Sequence, residues 1–339
     1  MKLSITMNRR KKIALMVGFI IVLLLIPPLL NATISYASYL LLVACYIFLY
    51  IIAESGLDIL FGYCGQISVG HAAYYAIGAY GSALLSNLTP IPSIITAIIA
   101  SLIAAGVGAL IAMAAAKLKF HFLSLATTAF GFIIYNLALH SPGRITGNSV
   151  GLYTGKINLF GFQLTSYTSF YYFGLVMAVL FIIVKVRLVK SRTGRAFIAI
   201  RDNSHAADGM GINVRGYKMI AFATSSFFVA FAGAMYVHLV GYIAPNQFAA
   251  AQSIMFLTIL LFGGKGTLLG PIIGVVVIQI TNEYLRVFEM YKTFIYGILL
   301  LTVVLILPDG LVSINFKAIL AFFKRLFRKV ARRDNHVKS

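Results

Sequence analysis

The chain has 339 residues, 60% of them hydrophobic and 11% charged, with 28 Lys and Arg against 8 Asp and Glu for a formal net charge of +20. A soluble domain carries about 25% charged residues, so a water-soluble fold is excluded. The cationic excess sits in a few clusters separated by long uncharged runs, the pattern of a protein that crosses a membrane many times.

A helix needs about 20 apolar residues to cross a hydrocarbon core of about 30 Å. On that measure the predicted spans are 13–30, 34–61, 67–86, 92–116, 121–140, 168–188, 218–241, 248–262, 268–285 and 292–308. The expected fold is an all-α polytopic integral membrane protein of about 10 transmembrane helices with Gly-rich broken segments. A basic N-terminus, 1–12, precedes the transmembrane region, 13–311, and a tail, 312–339, follows it. The first span lies behind Arg9, Arg10, Lys11 and Lys12, is longer than a signal-peptide core, and reads as an uncleaved helix. Ten spans put both termini on one side. Short cytoplasmic loops retain Lys and Arg, and with the N-terminus inside 24 of the 28 cationic residues fall on inner segments. Only Arg144, Lys156, Arg286 and Lys292 then lie outside, so both termini are expected in the cytoplasm.

Two inner connections break the helical pattern in the same way. Gly62 to Gly70 interrupts the second and third spans, and Gly263 to Pro271 interrupts the eighth and ninth. Unwound backbone in a membrane is tolerated only where protein or water satisfies it, and paired breaks in two halves of a chain often mark a transport pathway. Gly65, Gln66, Ser68, Gly70, His71, Gly263, Gly264, Gly266 and Gly270 are therefore candidates for lining or gating a pathway, the alternative being two tight hairpin turns. Small residues such as Gly78, Gly106 and Gly108 on the flanking helices suit close helix packing in lipid.

Residues 189–217 form the only long inner loop. Thr193 can cap a short helix ending near Arg201, and Asn203 or Ser204 a second that Gly209 or Gly211 ends. Phe197, Ile200, Ala207 and Met210 are spaced so that one apolar stripe runs through both pieces. Such a loop can lie on anionic lipid or meet a soluble partner, and the pattern alone leaves both open. In the tail, Phe316, Ile319, Leu320, Phe323, Leu326, Phe327 and Val330 alternate with basic residues at helical spacing, describing an interfacial amphipathic helix that suits lipid rather than nucleic acid.

Glu54 and Asp58, Asn136 and His140, and Gln279, Asn282 and Glu283 fall within spans, mostly near their ends, which is poor placement for a proton relay. Cys45 and Cys64 offer neither a disulfide framework nor zinc spacing, so no metal is expected. Gly263-Gly-Lys265-Gly-Thr is not a Walker A sequence because Gly follows the Lys, and no hydrolase motif occurs, so no enzymatic activity and no bound cofactor are expected.

The segment Gly65-Gln66-Ile67-Ser68-Val69-Gly70-His71-Ala72-Ala73 with Gly78-Ala79-Tyr80 resembles the signature of branched-chain amino-acid ABC transporter permeases, LivM-like subunits in particular. Ser191 to Ala196, Ala199 to Asp202 and Ala206 to Val214 resemble that family's cytoplasmic loop, Gly263 to Gly274 its late Gly-rich segment, and Thr146 to Leu152 its outer loop. The likeness covers roughly residues 35–311. It implies a permease subunit of an importer in the bacterial cytoplasmic membrane for leucine, isoleucine and valine, with urea or short amides as the family's alternative cargo and a lone secondary transporter as the rival class. The implied partners are a second permease subunit, two cytoplasmic ATPases that use the ATP, and an extracytoplasmic solute-binding protein. It also implies that the loop docks into an ATPase through an Ala-Ala-x-x-x-Gly core, matched here by Ala206, Ala207 and Gly211, with His205 where Glu is usual. Arg195, Phe197, Arg201, Asp202 and Met210 join that core as expected coupling residues.

Overall fold

The computed structural model describes residues 22–33, 36–114, 120–159, 162–285, 291–306 and 310–313. The predicted N-terminal stretch 1–12 and the amphipathic tail beyond 313 lie outside the described residues.

The described residues are mostly helical. In chain order the helices are α1 (Val22–Thr33), α2 (Ala37–Asp58), α3 (His71–Leu88), α4 (Ser93–Ala114), α5 (Phe120–Leu139), α6 (Tyr167–Lys190), α7 (Arg192–Asp202), α8 (Ser204–Gly209), α9 (Val214–Val240), α10 (Ala250–Gly263), α11 (Gly270–Tyr284) and α12 (Lys292–Ile306). Six among the described residues are long and apolar enough to cross a membrane: α2 with the turn that extends it to Tyr63, α4, α5, α6, α9, and α10 with the turn before it. Helices also occupy the first, third, ninth and tenth predicted segments, but over the described residues each is shorter or less apolar than that standard.

Two small ribbons interrupt the all-helical expectation. β1 (Leu152–Tyr153) pairs antiparallel with β4 (Tyr242–Ile243), tying the loop after α5 to the end of α9, and β2 (Asn158–Leu159) pairs with β3 (Phe162–Gln163). Two-residue strands are too short to leave an alternating pattern in sequence.

α9 is the central column, with α2, α3 and α4 packed along it. The contacts are close because small residues sit at the crossings. A Cβ on Gly78 of α3 would fall on the carbonyl of Ala230, and one on Gly233 of α9 on that of Tyr75. In lipid, where no hydrophobic effect draws helices together, such approach supplies the packing attraction. Hydroxyls and imidazoles add bonds: His238 Nδ1 donates to the Gly155 carbonyl at 2.9 Å, while Nε2 lies 2.9 Å from Ser82 Oγ, itself 3.0 Å from Thr96 Oγ1. Gly155 O can only accept, so Nδ1 must carry a proton.

The third predicted span, 67–86, starts too early. Residues 65–70 are not helical, and α3 begins at His71, whose Nε2 is 2.9 Å from Ser225 Oγ. Ser225 stands eleven residues into α9, about 16 Å along it at 1.5 Å per residue. The unwound segment therefore runs from the end of α2 into the middle of the bundle. Its backbone is satisfied there: Val69 N–H donates to Thr127 Oγ1 at 3.2 Å, and Ala72 N–H to Ser253 Oγ at 3.0 Å.

Glycine at crossings and glycine on open faces should behave oppositely. Gly78→Val is expected to cost about 1–3 kcal/mol through overpacking. Gly106→Ala, where an added Cβ meets nothing within 4 Å, should leave stability unchanged or slightly raised. Thermal unfolding of the purified variants in detergent checks both.

Candidate functional site at the glycine breaks

α2 ends in a π turn, Ile59–Tyr63, where the N–H of Cys64 reaches the carbonyl of Ile59 at 3.1 Å. π turns recur at functional sites because they widen the helix by one residue. Gly62 lies in this turn, and a Cβ there would overlap both the Asp58 carboxylate and the backbone of Gly266. Gly65 follows at φ +69°, laid against Arg201. The second break mirrors the first in composition. Gly264 and Gly266 have φ of 115° and 70°, and Thr267 Oγ1 donates to the Gly264 carbonyl and accepts from Gly270 N–H, each at 2.9 Å, before α11 starts with Gly270 and Pro271.

Asp58 joins the two breaks. Its Oδ1 accepts from Gly266 N–H at 2.6 Å, and its Oδ2 lies 2.7 Å from Lys185 Nζ of α6. Lys185 also donates to the Thr267 carbonyl at 3.4 Å, and both side chains are at most 1% exposed. From the α7 side, Arg201 Nη1 donates to the carbonyl of Gly62 at 3.0 Å, while Nε and Nη2 hold Asp202 Oδ1 at 3.0 and 2.9 Å. Three helices and both breaks thus meet at one charged cluster. A buried ion pair persists only with good geometry and further hydrogen bonds, which the unwound backbone supplies here.

Lys185 falls within the predicted span 168–188, although the charge count placed it with the inner cations. It lies inside α6, five residues before the helix ends at Lys190, and it is buried. The available signal was Asp58, a carboxylate inside a span that needed a counterion. One turn before Asp58, Glu54 is fully buried, and neither of its carboxylate oxygens has a hydrogen-bond partner among the described residues.

The long loop folds as two helices, the second capped by Asn203 as expected, the first by a different residue, and with a different stripe. Ser191, not Thr193, caps α7 by accepting from Gly194 N–H at 3.4 Å, and Asn203 caps α8 through His205 and Ala206 N–H at 3.0 and 3.1 Å. Phe197, Ile200 and Ala207 are buried, Phe197 against Tyr217, whereas Met210 is 85% exposed. The stripe fails at Met210 because α8 ends at Gly209, which leaves Met210 beyond the helix. Arg195, Asp202, Ala206 and Gly211 also lie on the exposed side of the loop.

The expected pathway residues divide into two groups. Gly65, Gly263, Gly264, Gly266 and Gly270 gather at the Asp58 cluster or in the turn beside it, with Gly263 packed on the carbonyl of Gly270. Ser68, Gly70 and His71 lie deeper, where Gly70 packs on the carbonyl of Thr127 in α5, and Gln66 Nε2 donates to the Cys64 carbonyl at 3.3 Å between the groups. No three His, Cys, Asp or Glu among the described residues are placed to hold a metal ion.

The sequence model of the family described as branched-chain amino acid transport system / permease component matches residues 39–304. The chain belongs to this permease family. The permease is 29% identical over 291 residues to the high-affinity branched-chain amino acid transport system permease protein LivM of Escherichia coli K12, covering 79% of this chain and 68% of that one. It is 24% identical over 314 residues to the probable branched-chain amino acid transport permease protein LivM of Methanocaldococcus jannaschii, covering 78% and 90%. A shorter likeness, 32% over 145 residues and 40% of this chain, joins it to the autoinducer 2 import system permease protein LsrC of Enterobacter sp. strain 638, of which it covers 41%. No solved structure matches the permease. These relatives are transport permeases rather than enzymes.

Removing one half of the Lys185 pair strands the other charge. Lys185→Met is expected to destabilise the permease by about 3–5 kcal/mol, and Lys185→Met combined with Asp58→Leu should recover most of that loss. Thermal unfolding of the single and double variants in one detergent decides it, since additive losses would mean the pair is not coupled.

Proposed function

We propose that the chain is one permease subunit of an ABC importer that carries leucine, isoleucine and valine across the bacterial cytoplasmic membrane. The observation that carries this reading is the family match across residues 39–304, supported by relatives of that printed name aligned over about four fifths of the chain. Urea, short amides and lone secondary transport have no comparable support.

In this reading the helices make ten passes, with both termini cytoplasmic. The cationic bias of the sequence supports that orientation even with Lys185 taken out of the count. A second permease subunit completes the pathway, an extracytoplasmic binding protein delivers the solute, and two cytoplasmic ATPases use the ATP. The exposed rim of α7 and α8, with Arg195, Asp202, Ala206, Met210 and Gly211, docks to an ATPase. Phe197 holds α7 to α9 from behind rather than reaching the partner.

Arg201 is the transmitting residue, because it sits on the docked helix and bonds the backbone of the first break. When the ATPases close, movement of α7 pulls on the Gly62 carbonyl, and the Asp58 cluster passes the displacement to the second break. The two arrangements are discrete because close-packed helices are bistable rather than elastic.

The test uses the assembled transporter in proteoliposomes with its binding protein. Arg201→Ala with Asp202→Ala is expected to leave the complex intact and ATP hydrolysis running while uptake falls at least tenfold. Gly266→Ala, at positive φ and beside Gly62, is expected to slow uptake and hydrolysis together. Unchanged uptake in both variants would sink the coupling role.

A further inference from the structure

A recess of about 280 Å³ opens where α3, α5 and α10 meet. It stands beside the point where the unwound segment ends, at the level of Ser225 and therefore near the middle of α9. Its wall combines small residues of α3, α5 and α10, among them Ala72, Gly131, Ala251 and Ser253, with the rings of Phe132 and Phe248.

Membrane helices ordinarily close such gaps, because dispersion between packed side chains is what holds them together. Here three separate elements each contribute small side chains to one space. Among the described residues no Lys, Arg, Asp or Glu lines it. The polar groups that do are hydroxyls. Ser253 is 4% exposed, and its oxygen accepts the Ala72 N–H at 3.0 Å, leaving the hydroxyl proton available to a guest. Tyr135, also in the lining, donates to Asn246 Oδ1 at 3.1 Å. The space lies just below the range of about 300–1,000 Å³ typical of small-ligand sites, which suits a side chain better than a large solute.

We propose that this recess receives the branched aliphatic side chain of the amino acid in transit, and that the small residues around it set the size limit. The proposal rests on the importer reading and adds to it a place and a determinant of selectivity. The apolar wall takes the aliphatic end, and the Ser253 hydroxyl donates to the polar end of the solute. Gly131 is the most informative position, since a Cβ there meets only the Cα of Gly70, at 3.7 Å. Alanine fits, whereas a leucine side chain would occupy the recess.

The experiment uses the complete complex in proteoliposomes. Gly131→Leu is expected to reduce uptake of leucine and isoleucine at least tenfold in a complex that still assembles, with Gly106→Ala, outside the recess, close to the parent. Ala251→Cys supplies the same bulk after assembly, so that a folding failure of Gly131→Leu does not decide the matter; both native cysteines are buried. A water-soluble methanethiosulfonate is expected to label Ala251→Cys, to be slowed at least threefold by excess leucine, and to block uptake once attached. Labelling by a membrane-soluble maleimide alone would show a recess filled by a lipid chain and overturn the proposal. Normal leucine uptake by both the labelled protein and Gly131→Leu would overturn it while leaving the importer reading intact. Absence of leucine uptake by the unaltered complex would instead overturn the importer reading, and this proposal with it.

Discussion

Everything at the α7–α8 end of the bundle depends on one buried ion pair. Asp58 and Lys185 are held 2.7 Å apart with almost no contact with solvent. Two charges removed from water on these terms give little net stability by themselves. Their effect is positional. Each has hydrogen-bonding capacity beyond the other, and it is met by backbone groups of chain that is not helical, Gly266 N–H and the Thr267 carbonyl. Helical backbone is already self-satisfied and has nothing to offer an ion. The glycine breaks and the pair therefore require each other, the unwound backbone needing partners and the charges needing dipoles.

The breaks also depend on the absence of side chains. Gly62 gives Asp58 and Gly266 room to meet, and Gly65 lets the chain turn back over Arg201. The same economy runs up the bundle, where backbone contact between α3 and α9 fixes the height at which α3 begins. That height places the recess in the middle of the protein. The Asp58 cluster and the deeper recess are thus two ends of one short unwound strand, residues 64–70, whose position is set by contacts at both ends.

Much of this was legible in the sequence, for physical reasons that can be named. Apolar runs gave the helices, because hydrocarbon demands them, and the two Gly-rich segments stood out because glycine is otherwise poor in helix interiors. The start of α3 was not legible, since Ile67 and Val69 look as apolar in an extended strand as in a helix. Lys185 was hidden by being cationic beside a cationic loop, where its sign carried no information about its direction. Met210 misled because spacing was read past Gly209, where α8 ends, and periodicity has no meaning beyond the end of a helix. The pairing of the two breaks could not be read at all, since nothing in either segment specifies its distance from the other in space.

The cluster has a consequence for how the protein is made. Asp58, Lys185, Arg201 and Gly266 meet in space but are far apart along the chain. Segments enter the bilayer in order of synthesis, so Asp58 is inserted more than a hundred residues before its countercharge exists and still longer before the amide that completes its shell. During that interval the carboxylate must stay near the headgroups or be sheltered by the insertion machinery, because a charge at the end of a young helix is tolerated far better than one at its centre. The early helices are accordingly a provisional assembly, and the native arrangement at this end is sealed only when the second glycine break leaves the ribosome.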